Sequence, residues 1–457
     1  MPSSAPRRTP DSQRHALMSH AGADSIAAWR RGEPVTAAQL LGDVLRTASA
    51  LPDARNVLNV CADRYRFAVA LLAAILRGQT TLLPPSTTPN VIRGMREFAP
   101  DVYLVSDEPQ AGLDLPHFEL PALGAAPAPF DVPAIDAAQI AACVFTSGST
   151  GEPQPYFKRW GSLVLDVAGE ARRLGVGERH SILGTVPAQH MYGFESTVLL
   201  PLAAGAALTA ERPFYPADID RAIACVPAPR VLFTTPFHLR AWLESGDTAH
   251  LEVIVSATAP LSVGLARQAE ERTGARIFEV YGCTETGQIA TRRPTQSAEW
   301  DAFEGVRVWL EGEQAMAGGA HVDHPTPLQD VIEVLGDGAR FLLHGRSADM
   351  VNIAGKRNSL GYLNHQLTSI DGVADGAFYL PDDGDSDGVT RLMAFVVAPG
   401  LTVAQVVAQL RSRIDPAFLP RPVVLVDRLP RALTGKLPRE ALRKLAREAA
   451  ERSRGGA

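Results

Sequence analysis

A segment rich in glycine and hydroxyl side chains could bind an anion. Residues 145–158 read FTSGSTGEPQPYFK and continue the apolar run IAACVF at 140–145. The backbone N–H groups of such a loop can converge on a phosphate group, and serine and threonine hydroxyls add further donors. The candidate phosphate ligands are Thr146, Ser147, Gly148, Ser149, Thr150 and Gly151.

Two better-known motifs are excluded at this loop. A P-loop requires GxxxxGK[ST], and no segment of the chain has that pattern. A nucleophile elbow requires GxSxG, but Ser147 stands where the first glycine around Ser149 should be. The loop therefore indicates neither a P-loop NTPase nor a serine hydrolase, and a loop of this kind taken alone is more often a plain turn than a nucleotide site.

Four further segments could contribute chemistry. They read PAQHMYGF at 187–194, YGCTETG at 281–287, GRSADMVNIAGKR at 345–357 and LPRALTGKLPREALR at 429–443. In this order and at these spacings, the five segments resemble the adenylate-forming enzymes. That superfamily includes acyl- and aryl-CoA synthetases, adenylation domains of peptide synthetases and luciferases. The resemblance runs from about residue 25 to about residue 445.

The resemblance implies a ligase that uses ATP and Mg²⁺. Such enzymes activate a carboxylic acid by attack on the α-phosphate, release pyrophosphate, and pass the acyl group from AMP to a pantetheine thiol. This chemistry depends on positioning and on neutralising charge at the phosphates. The implied acceptor is coenzyme A or an acyl carrier protein. Since no basic pocket for coenzyme A can be recognised, both stay open, with the carrier preferred.

The resemblance also implies roles for the phosphate-facing residues. Residues 146–151 would hold the β- and γ-phosphates, and Thr284 would reach the α-phosphate. Glu285 would hold Mg²⁺, since a hard carboxylate suits a hard cation. Lys436 would be the catalytic lysine, because an ammonium group on a glycine-containing turn can enter the site and balance developing charge. An ordinary surface acid and an ordinary basic tail residue are the alternatives.

The nucleoside and the acyl group have their own implied ligands. Tyr281, beside Gly282, would stack on adenine, although a packed strand end is the alternative. Asp330 would bind the ribose hydroxyls with Arg346, and Arg357 would approach the phosphates when the small domain closes. The implied catalytic or gating histidine and acyl-pocket residues are His190, Tyr192, Gly193, Phe194, Thr258 and Ala259.

Several positions depart from the superfamily pattern. Gln154 replaces the lysine of the phosphate loop, and Lys158 could compensate from four residues further on. Ala348 occupies the hinge position, Leu328 and Gln329 precede Asp330 where Thr-Gly is usual, and SATAP at 256–260 replaces pocket glycines. These departures motivate a second hypothesis, a non-catalytic protein that keeps a nucleotide or acyl-adenylate pocket.

The segments must be positioned by a large α/β domain followed by a small one. RNVLNVCA, RFAVALLAAILRG and DVYLVSD predict strand, helix and strand, and so do LEVIVSA, LSVGLARQAEERTG and ARIFEVYG. Such repeats imply stacked, mostly parallel α/β subdomains, and the resemblance adds a small β-barrel-like part. We expect a disordered tail at 1–20, a large domain at 21–345 and a mobile α+β lid domain at 346–457.

The large domain is short for the superfamily. It is similar in this to members that load aromatic or fatty acids onto carrier proteins in biosynthetic clusters, including those for aryl polyene pigments. In the small domain, DDGDSDG at 382–388 matches half of a calcium loop, but Ala394 stands where the loop's glutamate should be, so a hairpin turn is expected.

The composition excludes several classes of protein. Of 457 residues, 46% are hydrophobic and 21% charged, as in globular proteins, and a net charge of −6 gives no sign of nucleic-acid binding. The longest apolar run, 67–76, is shorter than the ~20 residues of a membrane span. Four widely spaced cysteines predict neither a zinc site nor a disulfide framework, so a reducing, cytoplasmic location is expected.

Overall fold

The computed structural model describes most of the chain. The described residues are 13–84, 86–107, 115–124, 129–147, 153–246, 248–346, 350–353, 356–381, 391–431 and 437–455. The expected hairpin turn at DDGDSDG lies outside them.

The strands and helices alternate through the first two thirds of the chain. The strands are β1 Arg14–Ala16, β2 Ile26–Arg30, β3 Glu33–Thr36, β4 Asn56–Asn59, β5 Thr80–Leu83, β6 Tyr103–Val105, β7 His117–Phe118, β8 Ala134–Asp136, β9 Ile140–Ser147, β10 Pro153–Arg159, β11 Ser181–Gly184, β12 Ala207–Thr209, β13 Arg230–Thr234, β14 Val253–Ser256, β15 Arg276–Cys283, β16 Gly287–Arg292, β17 Trp300–Ala302, β18 Arg307–Glu311, β19 Gln314–Gly319, β20 Val322–Pro327, β21 Asp330–Leu335, β22 Arg340–Arg346, β23 Met350–Ile353, β24 Lys356–Ser359, β25 Asp375–Tyr379, β26 Met393–Val397 and β27 Val423–Leu425. The α-helices are α1 Ala37–Ala50, α2 Arg64–Leu76, α3 Pro89–Phe98, α4 Trp160–Leu174, α5 Met191–Phe194, α6 Leu200–Ala204, α7 Pro216–Ala224, α8 Pro236–Glu244, α9 Val263–Thr273, α10 Leu360–Thr368, α11 Val403–Arg411 and α12 Arg439–Gly455.

The first sheet has six strands in the order β10-β9-β5-β4-β6-β7. All neighbours run parallel except β9 and β10, which form an antiparallel hairpin. Helix α2 connects β4 to β5 and is buried along nearly its whole length, which explains its apolar sequence. Its N-terminus is capped by the Asp63 side chain, which accepts a hydrogen bond from the Arg66 N–H.

The second sheet has eleven strands in the order β21-β22-β17-β16-β15-β14-β13-β11-β12-β2-β3. Its centre, from β15 to β2, is parallel, and both ends are antiparallel. The predicted alternation of strands and helices is confirmed here by β14, α9 and β15. Because the centre is parallel, the carboxyl ends of β14 and β15 meet at one edge of the sheet, where ligands bind in such folds.

The antiparallel end of this sheet packs with a further three-stranded sheet, β18-β19-β20. Their shared core contains Ile289, Trp300, Val306 and Phe341. This compact antiparallel region corresponds to the expected barrel-like part of the large domain.

The C-terminal part of the chain builds its own apolar core. Strands β25, β26 and β27 form a sheet, α10 and α11 pack with it, and one buried cluster extends from Val351 to Phe418. Helix α12 covers the other face through Leu442 and Ala449, with Leu445 partly buried. Helix α11 ends at Arg411, and Asp415 is extended before Pro416.

The expected N-terminal tail is too long by its last eight residues. Strand β1 pairs antiparallel with β8, and Leu17 and Met18 are buried in the main core. The prediction missed this strand because three residues carry too little pattern to be recognised. Its apolar residues are held by packing against the large domain. Residues 1–12 lie outside the described part of the chain.

Candidate active site

The predicted phosphate loop lies at the tip of the β9–β10 hairpin. Thr146 and Ser147 are the last residues of β9 and pair with Gln154 and Pro153 of β10. Because β9 runs parallel to β5, β9 ends at the carboxyl edge of the first sheet, where ligands bind in such folds. The loop residues between the two strands lie outside the described residues; they include Gly148, Ser149, Thr150 and Gly151.

The second predicted phosphate segment is the turn between β15 and β16. In this turn Thr284 is half-buried, Glu285 is exposed and Thr286 is buried. Gly282 pairs with Gln288 across the hairpin. The turn therefore presents the Glu285 side chain to solvent, where it is available to a ligand.

A buried lysine connects the hairpin to this turn. Lys158 stands on β10, opposite Ala142 of β9, and only 8% of its surface is exposed. Its Nζ donates a hydrogen bond to the main-chain carbonyl oxygen of Glu285 at 3.2 Å. The ammonium group considered as a substitute for the lysine missing at position 154 thus reaches the turn that carries the predicted metal ligand.

Two predicted nucleotide ligands contact each other directly. The Tyr281 hydroxyl group donates a hydrogen bond to Asp330 Oδ2 at 2.8 Å. The Tyr281 ring packs against Trp300 and Phe341 with centroid distances of 5.6 and 5.7 Å. Asp330 begins β21 and pairs with Arg346 at the end of β22. The antiparallel strands therefore bring Tyr281, Asp330 and the Arg346 backbone to one place.

The predicted acyl-pocket motif forms the short helix α5. His190 is its N-terminal cap residue and is half-buried. The Tyr192 hydroxyl group donates to the carbonyl oxygen of Val255 at 2.9 Å, and its ring packs edge-on against Phe233. Burial raises the pKa of Tyr192 well above its ordinary value, so its hydroxyl group remains a donor. Tyr192 is thereby fixed beside the end of β14.

Close packing limits which side chains fit at the next two positions of the motif. A Cβ atom at Gly193 would lie 2.0 Å from the carbonyl oxygen of Pro187, so a larger residue requires the backbone to move. Phe194 is fully buried, with its ring 6.4 Å from that of Phe67 and edge-on to it. Both residues pack α5 against the protein core. Their contact with an acyl substrate stays a prediction.

Thr258 and Ala259 are half-buried residues of the segment that follows β14. Thr258 has a φ of 75°, a left-handed conformation that is unfavourable for a β-branched residue. The Leu261 N–H donates to Glu279 Oε1 at 2.9 Å, and the Glu279 carboxylate forms a 2.7 Å ion pair with Arg292. Backbone strain held in place by surrounding structure is common at ligand sites. The segment therefore remains the candidate substrate contact.

Three buried carboxyl groups behind the turn were not predicted. Asp166 and Glu170 lie on α4, and Glu195 begins a π-helical turn directly after α5. Burial, followed by repulsion from Glu195, raises the pKa of Asp166 well above its ordinary value, and the same causes raise the pKa of Glu170 to about 8. The Ser196 hydroxyl donates to Glu170 at 3.0 Å and accepts from Gln288 Nε2 at 2.8 Å.

A sequence signal for part of this cluster does exist. Asp166 and Glu170 are four residues apart, so they share one helix face with the buried Leu163 and Val167. Charged residues inside an apolar helix face indicate a buried polar cluster. Their partner Glu195 directly follows the acyl-pocket motif.

The remaining predicted ligands cannot be placed by their side chains. Lys436 lies outside the described residues. Arg346 ends β22 and Arg357 lies on β24, opposite Asn352, but only their backbones are described. Their roles stay predictions.

The exposed Glu285 fits a magnesium ion that is shared with a nucleotide. Within the described ranges, no group of three or more His, Cys, Asp or Glu side chains could hold a metal ion. Mg²⁺ is usually bound by one or two carboxylates together with substrate phosphates and waters. A single exposed carboxylate close to the phosphate hairpin matches that kind of site.

Comparison with known proteins identifies the family. The family model described as "AMP-binding enzyme" matches residues 14–311, and the chain belongs to that family. It is 32% identical over 289 residues to a 4-coumarate–CoA ligase of Rhodobacter capsulatus, covering 63% of this chain and 71% of that protein. It is 30% identical to a 4-coumarate–CoA ligase of Halorhodospira halophila, covering 55% of this chain and 62% of that protein.

Solved structures share the fold of this chain. ATP-bound MatB from Rhodopseudomonas palustris superimposes with a TM-score of 0.79 over 93% of this chain and 97% of that one, at 19% identity. The predicted fold, a large α/β domain followed by a small one, is therefore confirmed. Across the ranges given above, no helix combines the length and the apolar character needed to cross a bilayer.

Proposed function

We propose that this protein is an AMP-forming acid–thiol ligase. It would activate a carboxylic acid with ATP as an acyl-adenylate, release pyrophosphate and transfer the acyl group to a pantetheine thiol. The observation that carries the proposal is the hydrogen bond between Tyr281 and Asp330 at the base of the hairpin whose turn holds Thr284 and Glu285. Adenine, ribose and phosphate ligands would thus be arranged along one sheet edge.

Each part of the site would act on a different group of the nucleotide. The Tyr281 ring would contact adenine, Asp330 would accept hydrogen bonds from the ribose, and Thr284 would donate to the α-phosphate. Mg²⁺ at Glu285 would neutralise phosphate charge when it is bound. Lys436 would bridge the carboxylate and the α-phosphate. This reaction needs mainly positioning of the reactants and neutralisation of phosphate charge. The groups named above are of the chemical types that supply both.

The relatives favour an aryl or acyl acid as substrate and coenzyme A as acceptor. Their names include 4-coumarate–CoA ligase and indoleacetate–CoA ligase, and one longer relative is named isonitrile lipopeptide synthase. We therefore propose an aromatic acid first and coenzyme A before a carrier protein. Loading of a carrier, a cytoplasmic location and a role in secondary metabolism remain hypotheses from the sequence.

Acid-dependent ATP–pyrophosphate exchange tests the proposal. Purified protein should exchange labelled pyrophosphate into ATP with at least one acid of an aryl and acyl panel that includes 4-coumarate. Lys436→Ala should lower this exchange by a factor of 10² or more, an order of magnitude taken from other preorganised charge contacts. Lys444→Ala, on the exposed face of α12, is the matched control and should retain full exchange.

Two results would count against parts of this proposal. Absence of exchange with every acid would instead favour the non-catalytic nucleotide-binding hypothesis, whereas exchange that Lys436→Ala leaves unchanged would contradict the catalytic role of Lys436. The acceptor is decided separately by incubating the loaded enzyme with coenzyme A and with holo-carrier in parallel. Mass spectrometry should show the acyl group on coenzyme A, and faster transfer to the carrier would reverse that part of the proposal.

A further inference from the structure

Lys158 occupies an environment that is unusual for a lysine. Its side chain is almost completely buried, although lysine is among the residues least often found inside proteins. Burying a charge is costly unless the charge is paired and hydrogen-bonded. The burial of Lys158 therefore requires compensating interactions, and its neighbours supply them.

Its ammonium group donates to a backbone oxygen and acts electrostatically on a buried carboxyl group. The hydrogen bond from Nζ goes to the Glu285 carbonyl oxygen at 3.2 Å. Burial raises the pKa of the Glu195 carboxyl above its ordinary value, and the Lys158 charge partly offsets that rise. Asp166 and Glu195 lie against the same point of the turn, since Asp166 Oδ2 and Glu195 Oε1 are both within 3.0 Å of the position that a Cβ atom at Gly287 would take. The lysine and these two buried carboxyl groups therefore surround the turn inside the protein.

The same cluster holds the turn from its other end. Asp166 Oδ2 accepts a hydrogen bond from the backbone N–H of Gln288 at 3.2 Å. Gly287 has a φ of 76°, and a Cβ atom there would lie 2.2 Å from Asp166 Oδ2 and 3.0 Å from Glu195 Oε1. The turn therefore rests directly on the carboxyl groups. A cation holds its carbonyl at Glu285, and a carboxyl oxygen holds its N–H at Gln288.

The lysine and the turn belong to different sheets. Lys158 is on β10 of the first sheet, in the hairpin whose tip is the predicted phosphate loop, whereas Glu285 follows β15 of the second sheet. The bond between them consequently sets the separation between the β9–β10 hairpin and the turn that carries the predicted metal ligand. A loop that has glutamine at position 154 contributes no positive charge there, which makes this separation more important.

We propose that Lys158 is a positioning residue that fixes the Glu285 turn against the phosphate hairpin, so that the Glu285 carboxylate meets metal-bound phosphates. This inference rests on the proposed nucleotide site. It assigns the residue that holds the Glu285 turn in place at that site. Lys158 acts through the backbone of Glu285 and does not itself contact phosphate. Its removal should therefore weaken binding of ATP in the presence of magnesium more than binding of ATP alone.

Equilibrium binding of ATP tests this without requiring turnover. Dissociation constants are measured by calorimetry with excess Mg²⁺ and with EDTA for the wild type, Lys158→Met and the exposed control Lys444→Met. We expect Lys158→Met to raise the constant for Mg-ATP about tenfold, as an interaction of ~1.4 kcal/mol would. The constant in EDTA should change by less than about twofold, and the control should match the wild type.

A double variant separates positioning from folding. Lys158→Met leaves the carboxyl cluster without its cation and should lower the melting temperature, whereas Lys158→Met with Glu195→Gln removes both charges and should recover most of it. The double variant should still bind Mg-ATP weakly. Recovery of Mg-ATP affinity together with stability, or equal weakening with and without Mg²⁺, would overturn the proposal.

The outcome is distinguishable from failure of the proposed function. A wild type that binds Mg-ATP more tightly than ATP alone, but catalyses no acid-dependent exchange, would contradict the ligase and leave the role of Lys158 intact. A wild type that exchanges pyrophosphate normally, with Lys158→Met indistinguishable from it in Mg-ATP binding, would contradict only the positioning role. A wild type that binds no ATP would contradict both.

Discussion

The hydroxyl group of Tyr281 can be removed without disturbing the ring that packs on Trp300 and Phe341. Tyr281→Phe deletes the hydrogen bond to Asp330 and leaves that carboxylate less well oriented for a ribose. Since a net hydrogen bond contributes about 1 kcal/mol, we expect the KM for ATP to rise about fivefold with little change in kcat. Steady-state exchange kinetics over a range of ATP concentrations measure both values.

A double-mutant cycle shows whether this effect passes through Asp330. In an Asp330→Ala background, Tyr281→Phe should raise the KM for ATP no further, because residues in one hydrogen-bond pair are not additive. Tyr362→Phe, at a half-exposed tyrosine of α10, is the control. Independent effects of the two substitutions would mean that the bond between Tyr281 and Asp330 has no part in nucleotide binding.

At the level of the elements, the buried guanidinium group of Arg64 connects helix α2 to the second sheet. Arg64, at the start of α2, donates to the carbonyl oxygens of Thr209, Glu211, Gly184 and Val186 at 2.8 to 3.2 Å. Burial lowers its pKa only to about 10, so the group stays charged at neutral pH. The end of β11, which precedes the His190 motif, and the end of β12, which follows it, are therefore both tied to α2.

Removing this guanidinium should destabilise the whole large domain. Arg64→Met leaves buried carbonyl groups without their donor, and we expect the free energy of unfolding to fall by about 3 kcal/mol. Chemical denaturation followed by circular dichroism measures the change. Arg66→Met, two residues along the same helix and half-exposed, should cost less than about 0.5 kcal/mol. Equal effects of both substitutions would show that the carbonyl contacts of Arg64 contribute nothing.

The elements that sequence patterns predicted are those with strong local signals. The apolar runs that became β4, α2, β14 and β15 are long and bounded by turns, and the motifs fall in loops after such strands. Strand β10 went unpredicted because its residues, PQPYFKR, have two prolines and little alternation. That strand is what buries Lys158, so the sequence could name this lysine as a substitute but could not place it.

Contacts between distant segments could not be predicted from the sequence, because they depend on how the elements pack. Tyr281 and Asp330 were each assigned to the nucleotide, yet their hydrogen bond depends on how β15 and β21 pack within the eleven-stranded sheet. The cluster of Asp166 and Glu195 likewise forms only when α4 meets the segment after α5. Local sequence patterns predict which residues are candidate ligands, whereas packing of the elements determines which of these residues contact each other.

At the scale of the whole molecule, buried carboxyl groups should make stability depend on pH. The pKa of Glu170 is raised to about 8 by burial, so between its unfolded value and pH 8 the folded state binds more protons than the unfolded state. Stability therefore falls as pH rises through this range. Burial lowers the pKa of His238 and of His321 to about 4, which has the opposite effect, but only up to about pH 6.5.

The carboxyl effect should consequently be visible alone above pH 6.5. We expect the free energy of unfolding to fall by about 2 kcal/mol between pH 6.5 and 8, because 1.36 kcal/mol corresponds to one pH unit per proton. Glu170→Gln should flatten this slope, and Glu313→Gln, at an exposed site, should not. Urea denaturation at several pH values provides the measurement. A wild type whose stability rises over this range would contradict the assignment.

The two parts of the chain have separate buried clusters, which predicts that they open separately. Leu367 is fully buried in the cluster that extends from Val351 to Phe418, whereas Leu40 is fully buried in the main cluster of the large domain. A buried Leu→Ala substitution typically costs 2 to 5 kcal/mol at its own site. Leu367→Ala should therefore accelerate amide hydrogen exchange in peptides from 350–449 and leave those from 17–345 near wild-type rates. Leu40→Ala should do the reverse, and mass spectrometry of peptic fragments measures both. Faster exchange throughout the chain after either substitution would show that the two clusters unfold as one cooperative unit, and that a lid able to move by itself is not built into this molecule.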